Sequence, residues 1–155
     1  TPFSLVLLGD ITCWIESLTK TEWVTFPSFF ENVTKLIDTI LVPVNHAAKI
    51  ENLIPNAITL ASSKGIIIDD ILLTHGHTKP SENFSQVNTI VMGHVHPVFF
   101  QKESLINGER VWVSIKCKKQ KIFHSKSGEL EVIILHSFKR YFYATKKKFY
   151  KKKTK

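Results

Sequence analysis

Four polar clusters follow apolar runs in this chain, and their side chains are of types that bind metal ions. The clusters are Gly9-Asp10, Asn45-His46, His75-Gly76-His77 and Gly93-His94-Val95-His96. One carboxylate, one amide oxygen and several imidazoles suit a hard or borderline divalent ion such as Mn²⁺, Fe²⁺, Zn²⁺ or Ni²⁺. A carboxylate can bridge two such ions, and the pair can hold a phosphoryl group and activate water. The clusters therefore indicate metal-assisted hydrolysis.

Each residue also has an ordinary structural explanation. Asp10 could cap a helix, and Asn45 could be a turn residue. A single histidine is more often a core or surface residue than a ligand, and His124 and His136 are interpreted in that way. The metal hypothesis depends on the clusters occurring together after apolar runs.

The apolar runs before the clusters are typical of strands in an α/β fold. Phe3 to Leu8 is nearly continuous, which is the pattern of a strand buried on both faces. Further strands are predicted at about Ile40 to Val44, Ile58 to Leu60 and Thr89 to Met92, with a Gly65 to Thr74 hairpin that turns at Asp69-Asp70. Because ligands gather beyond the carboxyl ends of strands in such sheets, the clusters should meet at one edge.

One helix is predicted from about Ser28 to Leu41. Ser28 and Glu31 fit a capping box beside Pro27, and apolar residues follow at helical spacing. The second half reads as short strands at Val98 to Phe100, Val111 to Lys116, Lys121 to His124 and Leu130 to Leu135. Trp112 is expected to pack in or beside the core.

Composition limits the class of protein. A chain of 155 residues, 43% hydrophobic, fits one folded domain. No apolar run approaches the ~20 residues that cross a bilayer, and no signal peptide is visible. Cys13 and Cys117 are far apart and read as reduced thiols. We expect a cytoplasmic protein with no membrane segment.

The basic charge is concentrated at one end. Of the 21 Lys and Arg residues, nine fall in residues 139–155, which contain no acid. Residues 146–155 are therefore predicted to be a disordered basic tail, which could hold nucleic acid through its phosphates.

The order GD, NH, HGH, GHxHP resembles the calcineurin-like metallophosphoesterases. The stretches LLTHGHTKP, from Leu72 to Pro80, and IVMGHVHPV, from Ile90 to Val98, resemble the archaeal putative phosphoesterase branch related to SbcD-type nucleases. The similarity runs from about Leu5 to Tyr141. GHxH after a hydrophobic strand is a specific signal, whereas GD and NH are weak ones. The resemblance implies an α/β fold for residues 1–145, with two packed β-sheets flanked by helices in a metallophosphoesterase-like αββα sandwich.

The resemblance also assigns roles. Asp10 matches the aspartate that bridges two metals, and Asn45, His75 and His94 match the other ligands of the second metal. His96 matches a ligand of the first metal. His46 matches the catalytic histidine that protonates the leaving alkoxide or holds the phosphoryl oxygen, and His77 is expected to contact phosphate.

The chain departs from the family pattern at two places in the site. The family has an Asp-x-His motif on a strand before the GD strand, and none is present here. The GNHD motif stands as Val44-Asn45-His46-Ala47, without the aspartate that orients the catalytic histidine. We therefore expect one tightly bound ion, most readily Mn²⁺, where the full family site holds two. If no strand precedes Phe3 to Leu8, its open edge predicts self-association.

Two functions stay open. The first is a metal-dependent phosphoesterase that hydrolyses a phosphomonoester or phosphodiester through a metal-bound hydroxide, with reduced activity. The second is a decayed, non-catalytic copy that binds phosphate or nucleic acid.

Overall fold

The computed structural model describes residues 3–11, 20–44, 54–101, 103, 105 and 108–138. Within them the chain forms a mixed α/β fold with a three-stranded and a five-stranded sheet. The prediction of an α/β fold built on two sheets is confirmed. Asn45, His46 and the basic tail at 146–155 lie outside the described residues. None of the helices in the described part is both long and apolar enough to span a bilayer.

The three-stranded sheet is parallel and lies against one helix. Its strands are β1 (Ser4–Leu8), β2 (Asp38–Val42) and β3 (Ile58–Leu60), in that order, with β1 at an edge. The helix α1 (Lys20–Thr34) comes between β1 and β2 along the chain. Phe30 from α1, Leu41 and Ile58 form the buried core of this half. A parallel pair needs such a crossover, because its strands cannot be joined by a tight turn.

The helix prediction was wrong at both ends. The helix begins eight residues before Ser28, so Pro27 lies inside it instead of at its start. The side chains of Phe26 and Phe30, one turn apart, contact each other and the core around Leu41. Packing of this apolar face compensates for the hydrogen bond that proline cannot donate. The apolar residues after Thr34 belong to a turn and to β2.

The five-stranded sheet has three parallel strands at its centre. Its strands are β4 (Ile66–Ile68), β5 (Ile71–Thr74), β6 (Thr89–Met92), β7 (Val113–Lys118) and β8 (Glu129–Ile134), in the order β4-β5-β6-β8-β7. The predicted hairpin is confirmed, with Asp69 in its turn at a φ of 54°. Leu72, Ile90 and Leu130 form one buried face of this sheet.

The strand predicted at Lys121 to His124 does not form. A short 3-10 helix, Lys119–Lys121, and a turn stand there instead. They place Phe123, which is fully buried, over the core of the five-stranded sheet. Trp112, expected to pack, is 68% exposed. Whether Phe123 is buried and Trp112 is exposed depends on packing against residues far away in the chain. A short apolar run does not reveal that packing.

Candidate metal centre

Asp10 reaches the site because the chain turns sharply at the end of β1. Gly9 and Asp10 both have positive φ, at 69° and 46°. Aspartate tolerates this left-handed conformation better than most residues. The turn leaves the Asp10 carboxylate about half exposed, at 49% of its side-chain surface.

His75 follows β5 and is almost completely buried, at 1% exposure. Its Nδ1 lies 2.8 Å from the carbonyl oxygen of Leu8, at the end of β1. A carbonyl can only accept, so Nδ1 carries the proton and Nε2 of the neutral ring keeps its lone pair. A ring held by a backbone carbonyl through one nitrogen, with the other nitrogen directed at the site, is the usual arrangement of a metal-binding histidine.

His94 and His96 follow β6, which lies beside β5 in the sheet. Both have positive φ, at 64° and 52°. His94 Nδ1 lies 3.1 Å from His75 Nε2, and His96 Nε2 lies 3.4 Å from Asp10 Oδ2. Left-handed backbone at non-glycine residues costs about 1–3 kcal/mol each and is concentrated at functional sites.

The donor atoms of Asp10, His75 and His94 fit a single divalent ion. All three atoms lie within 4.8 Å of one another, and His75 Nε2 is 3.5 Å from Asp10 Oδ1. Two donors bound at about 2.1 Å to one ion lie roughly 3–4 Å apart. In the tautomer with the proton on Nδ1, the lone pair of His75 Nε2 is directed at this group, where it can accept from His94 Nδ1 or bind a cation.

The fold is similar to that in the crystal structure of the nuclease MPE of Pseudomonas putida. The TM-score is 0.53 and the sequence identity is 16%, over 92% of this chain and 62% of the nuclease chain. The chain thus spans about three fifths of the length of that nuclease. No family model and no curated protein matches the sequence. At this identity the likeness concerns the fold alone.

The structure brings four of the predicted site residues together where strand ends of the two sheets meet. Asp10, His75, His94 and His96 meet at the carboxyl ends of β1, β5 and β6, as the strand pattern predicted. The His77 ring lies beside them, with its centroid 5.5 Å from that of His75. Its contact with phosphate stays a prediction, as do the ligand roles.

Asn45 and His46 lie outside the described residues, but the chain before them reaches the site. A Cβ atom on Gly9 would lie 2.9 Å from Cγ1 of Val44, so the chain after β2 also reaches this site. The metal role of Asn45 and the catalytic role of His46 stay predictions.

Sequence reasoning missed the carbonyl of Leu8. This oxygen orients His75 across 67 positions of sequence. A backbone group carries no sequence signal of its own. The sequence indicated this carbonyl only indirectly. A buried strand that ends in Gly-Asp brings its last carbonyl close to the aspartate that follows it.

Proposed function

We propose that this chain is a metal-dependent phosphoesterase that hydrolyses a phosphomonoester or a phosphodiester. The observation that carries the proposal is the convergence of Asp10, His75 and His94, with His75 oriented by the Leu8 carbonyl. The nuclease-like fold supports it.

The proposed ligands are Asp10, Asn45, His75 and His94 for one divalent ion, taken to be Mn²⁺. When bound, such an ion supplies Lewis acidity and lowers the pKa of water. The Leu8 carbonyl keeps the lone pair of His75 Nε2 directed at the site. The second carboxylate oxygen of Asp10, Oδ2, lies next to His96 Nε2.

The remaining steps in the proposed mechanism belong to histidines. His46 donates its proton to the leaving alkoxide, which prevents charge from accumulating on that oxygen. His77, beside the ring of His75, contacts a phosphoryl oxygen and stabilises the developing negative charge.

A second candidate is a non-catalytic copy that binds phosphate or nucleic acid. Ala47 favours it, because the family resemblance places there an aspartate that orients the catalytic histidine. Without an oriented tautomer, His46 would donate its proton poorly while the metal ligands stayed in place.

One experiment separates the two functions. The purified chain is assayed with Mn²⁺ on a chromogenic phosphodiester and on a chromogenic phosphomonoester, and its bound metal is measured by elemental analysis. Metal-dependent turnover that is lost in His75→Ala and kept in His136→Ala supports the phosphoesterase. His136 is the matched control because its Nδ1 contacts the neighbouring Ser137 carbonyl.

The other outcomes are equally definite. Stoichiometric metal without turnover of either ester supports the non-catalytic copy. Failure to bind Mn²⁺ or any other divalent ion at micromolar concentration contradicts the metal-dependent phosphoesterase.

A further inference from the structure

A cavity lies beside the loop that follows His77. It has a volume of about 280 Å³ and is lined by Ser63, Lys64, Thr78, Lys79, Pro80 and Ser81. Two segments form it: the loop between β3 and β4, and the loop after β5. The cavity uses none of the proposed metal ligands.

The lining of this cavity has the chemistry of an anion site. Two lysines and three residues with hydroxyl groups line it, and none of its lining residues is a carboxylate. Within the described part of the chain, no carboxylate pairs with Lys64 or Lys79. Two like charges around one cavity repel each other, and a bound anion removes that repulsion.

Lys79 is held in position by a neighbouring segment. Its Nζ lies 3.0 Å from Nε2 of His124. The Glu82 carboxylate fixes that segment, accepting bonds from the His124 backbone N–H at 2.8 Å and from the Ser125 hydroxyl at 2.7 Å. A lysine restrained before binding loses less side-chain entropy when it contacts an anion.

We propose that this cavity is a binding site for a phosphate group, separate from the metal centre. Lysines provide the charge and hydroxyl groups donate to the phosphate oxygens, which is the donor set that phosphates accept. The inference goes beyond the proposed hydrolysis, because phosphate binds here without any metal ion.

The position of the cavity relates it to the metal centre. Thr78 is three residues after His75, so their Cα atoms lie within about 11 Å of each other. If the proposed phosphoesterase function also holds, one strand could place a phosphate in the cavity and another at the metal centre.

The test measures binding in EDTA, so it is independent of hydrolysis. Inorganic phosphate is titrated by isothermal calorimetry, and a fluorescent single-stranded oligonucleotide is titrated by anisotropy at several salt concentrations. The variants are Lys64→Met, Lys79→Met and Lys79→Arg. Lys116→Met is the matched control, because Lys116 is exposed on β7, at the opposite edge of the sheet from β4.

Each methionine variant in the cavity should weaken binding about three- to tenfold. For the oligonucleotide, the slope of log K against log salt should fall by about 0.7 per lysine removed. Lys79→Arg should retain most of the affinity, and Lys116→Met should match the wild type.

The two probes distinguish the sources of the phosphate. If the cavity variants weaken the binding of inorganic phosphate but not of the oligonucleotide, the cavity binds a free phosphate ion. If the cavity variants weaken the binding of the oligonucleotide, whether or not they also weaken that of inorganic phosphate, the cavity binds a phosphate of a nucleic-acid strand. If neither cavity variant differs from Lys116→Met with either probe, the proposal is overturned, whatever the chain hydrolyses.

Discussion

Replacing Gly9 with alanine should disturb the candidate metal centre through the ring of His75. A Cβ atom at Gly9 would lie 2.4 Å from His75 Nδ1 and 2.7 Å from its Cγ. Carbon and nitrogen atoms cannot approach so closely, so either the ring or the β1 backbone must move. Both movements stretch the hydrogen bond from Nδ1 to the Leu8 carbonyl.

The expected loss of stability has two main parts. Gly9 has a φ of 69°, and a left-handed conformation costs an L-residue about 1–2 kcal/mol. The weakened hydrogen bond costs about 1 kcal/mol more. We expect the free energy of unfolding to fall by about 2–3 kcal/mol. The affinity for Mn²⁺ should fall about 10- to 100-fold, which is typical of losing an outer-shell partner of a ligand.

Gly93→Ala is the matched control. Gly93 has no positive φ, and a Cβ atom there would have its nearest neighbour at 3.7 Å, the carbonyl oxygen of Leu8. Both substitutions reduce the entropy of the unfolded chain equally, so this contribution cancels in the comparison. Urea denaturation in EDTA measures stability, and calorimetric titration with Mn²⁺ measures affinity.

If Gly9→Ala and Gly93→Ala unfold at the same urea concentration and bind Mn²⁺ equally well, Gly9 has no special role at the site. A loss of stability without a loss of Mn²⁺ affinity would show that the conformation of Gly9 matters and that the orientation of His75 does not.

Three further predictions follow from the site, from one carboxylate and from the tail. His94→Ala should release the tightly bound metal, and His96→Ala should mostly retain it, because His96 contacts Asp10 outside the group that converges on one ion. Elemental analysis measures the bound metal. Two ions in the wild type, or an equal loss in both variants, would contradict this prediction. Hydrogen bonds from the Ser125 hydroxyl and the His124 N–H lower the pKa of Glu82, so its stabilising contribution is complete above the ordinary glutamate pKa and is lost as the pH falls through the lowered value. The melting temperature of Glu82→Gln should therefore lie below that of the wild type at neutral pH, and the gap should close in acid; a gap that does not change with pH would disprove the linkage. Deleting residues 146–155 should leave the melting temperature nearly unchanged and weaken nucleic-acid binding at low salt, and a large fall in melting temperature would show that the tail is packed.

Local sequence patterns were informative where one element carries its own signal. The hairpin that turns at Asp69 follows from apolar runs on either side of two turn residues, and it was predicted with its correct strands. The strand before His94 was predicted from Thr89 to Met92 because its apolar run is continuous. Such signals depend on a few neighbouring residues, so no knowledge of distant contacts is needed.

The same local reasoning failed where packing decides. Pro27 was interpreted as the start of a helix, yet the helix continues through it because the faces of Phe26 and Phe30 pack on the sheet. Phe123 was assigned to a strand, but it is a core residue presented by a turn. In both cases tertiary burial outweighs the local preference.

The sequence by itself determined which residues could form a metal centre and that they stand at strand ends. Gly9-Asp10, His75 and His94 each follow an apolar run, which places them at the carboxyl edge of whatever sheet contains those strands. Tertiary structure alone decided that Leu8 orients His75 and that Lys64 and Lys79 face one cavity. The physical reason is that these contacts join segments far apart in the chain. The relative position of the two sheets is set by the free energy of their packing. Local sequence propensities do not encode that position.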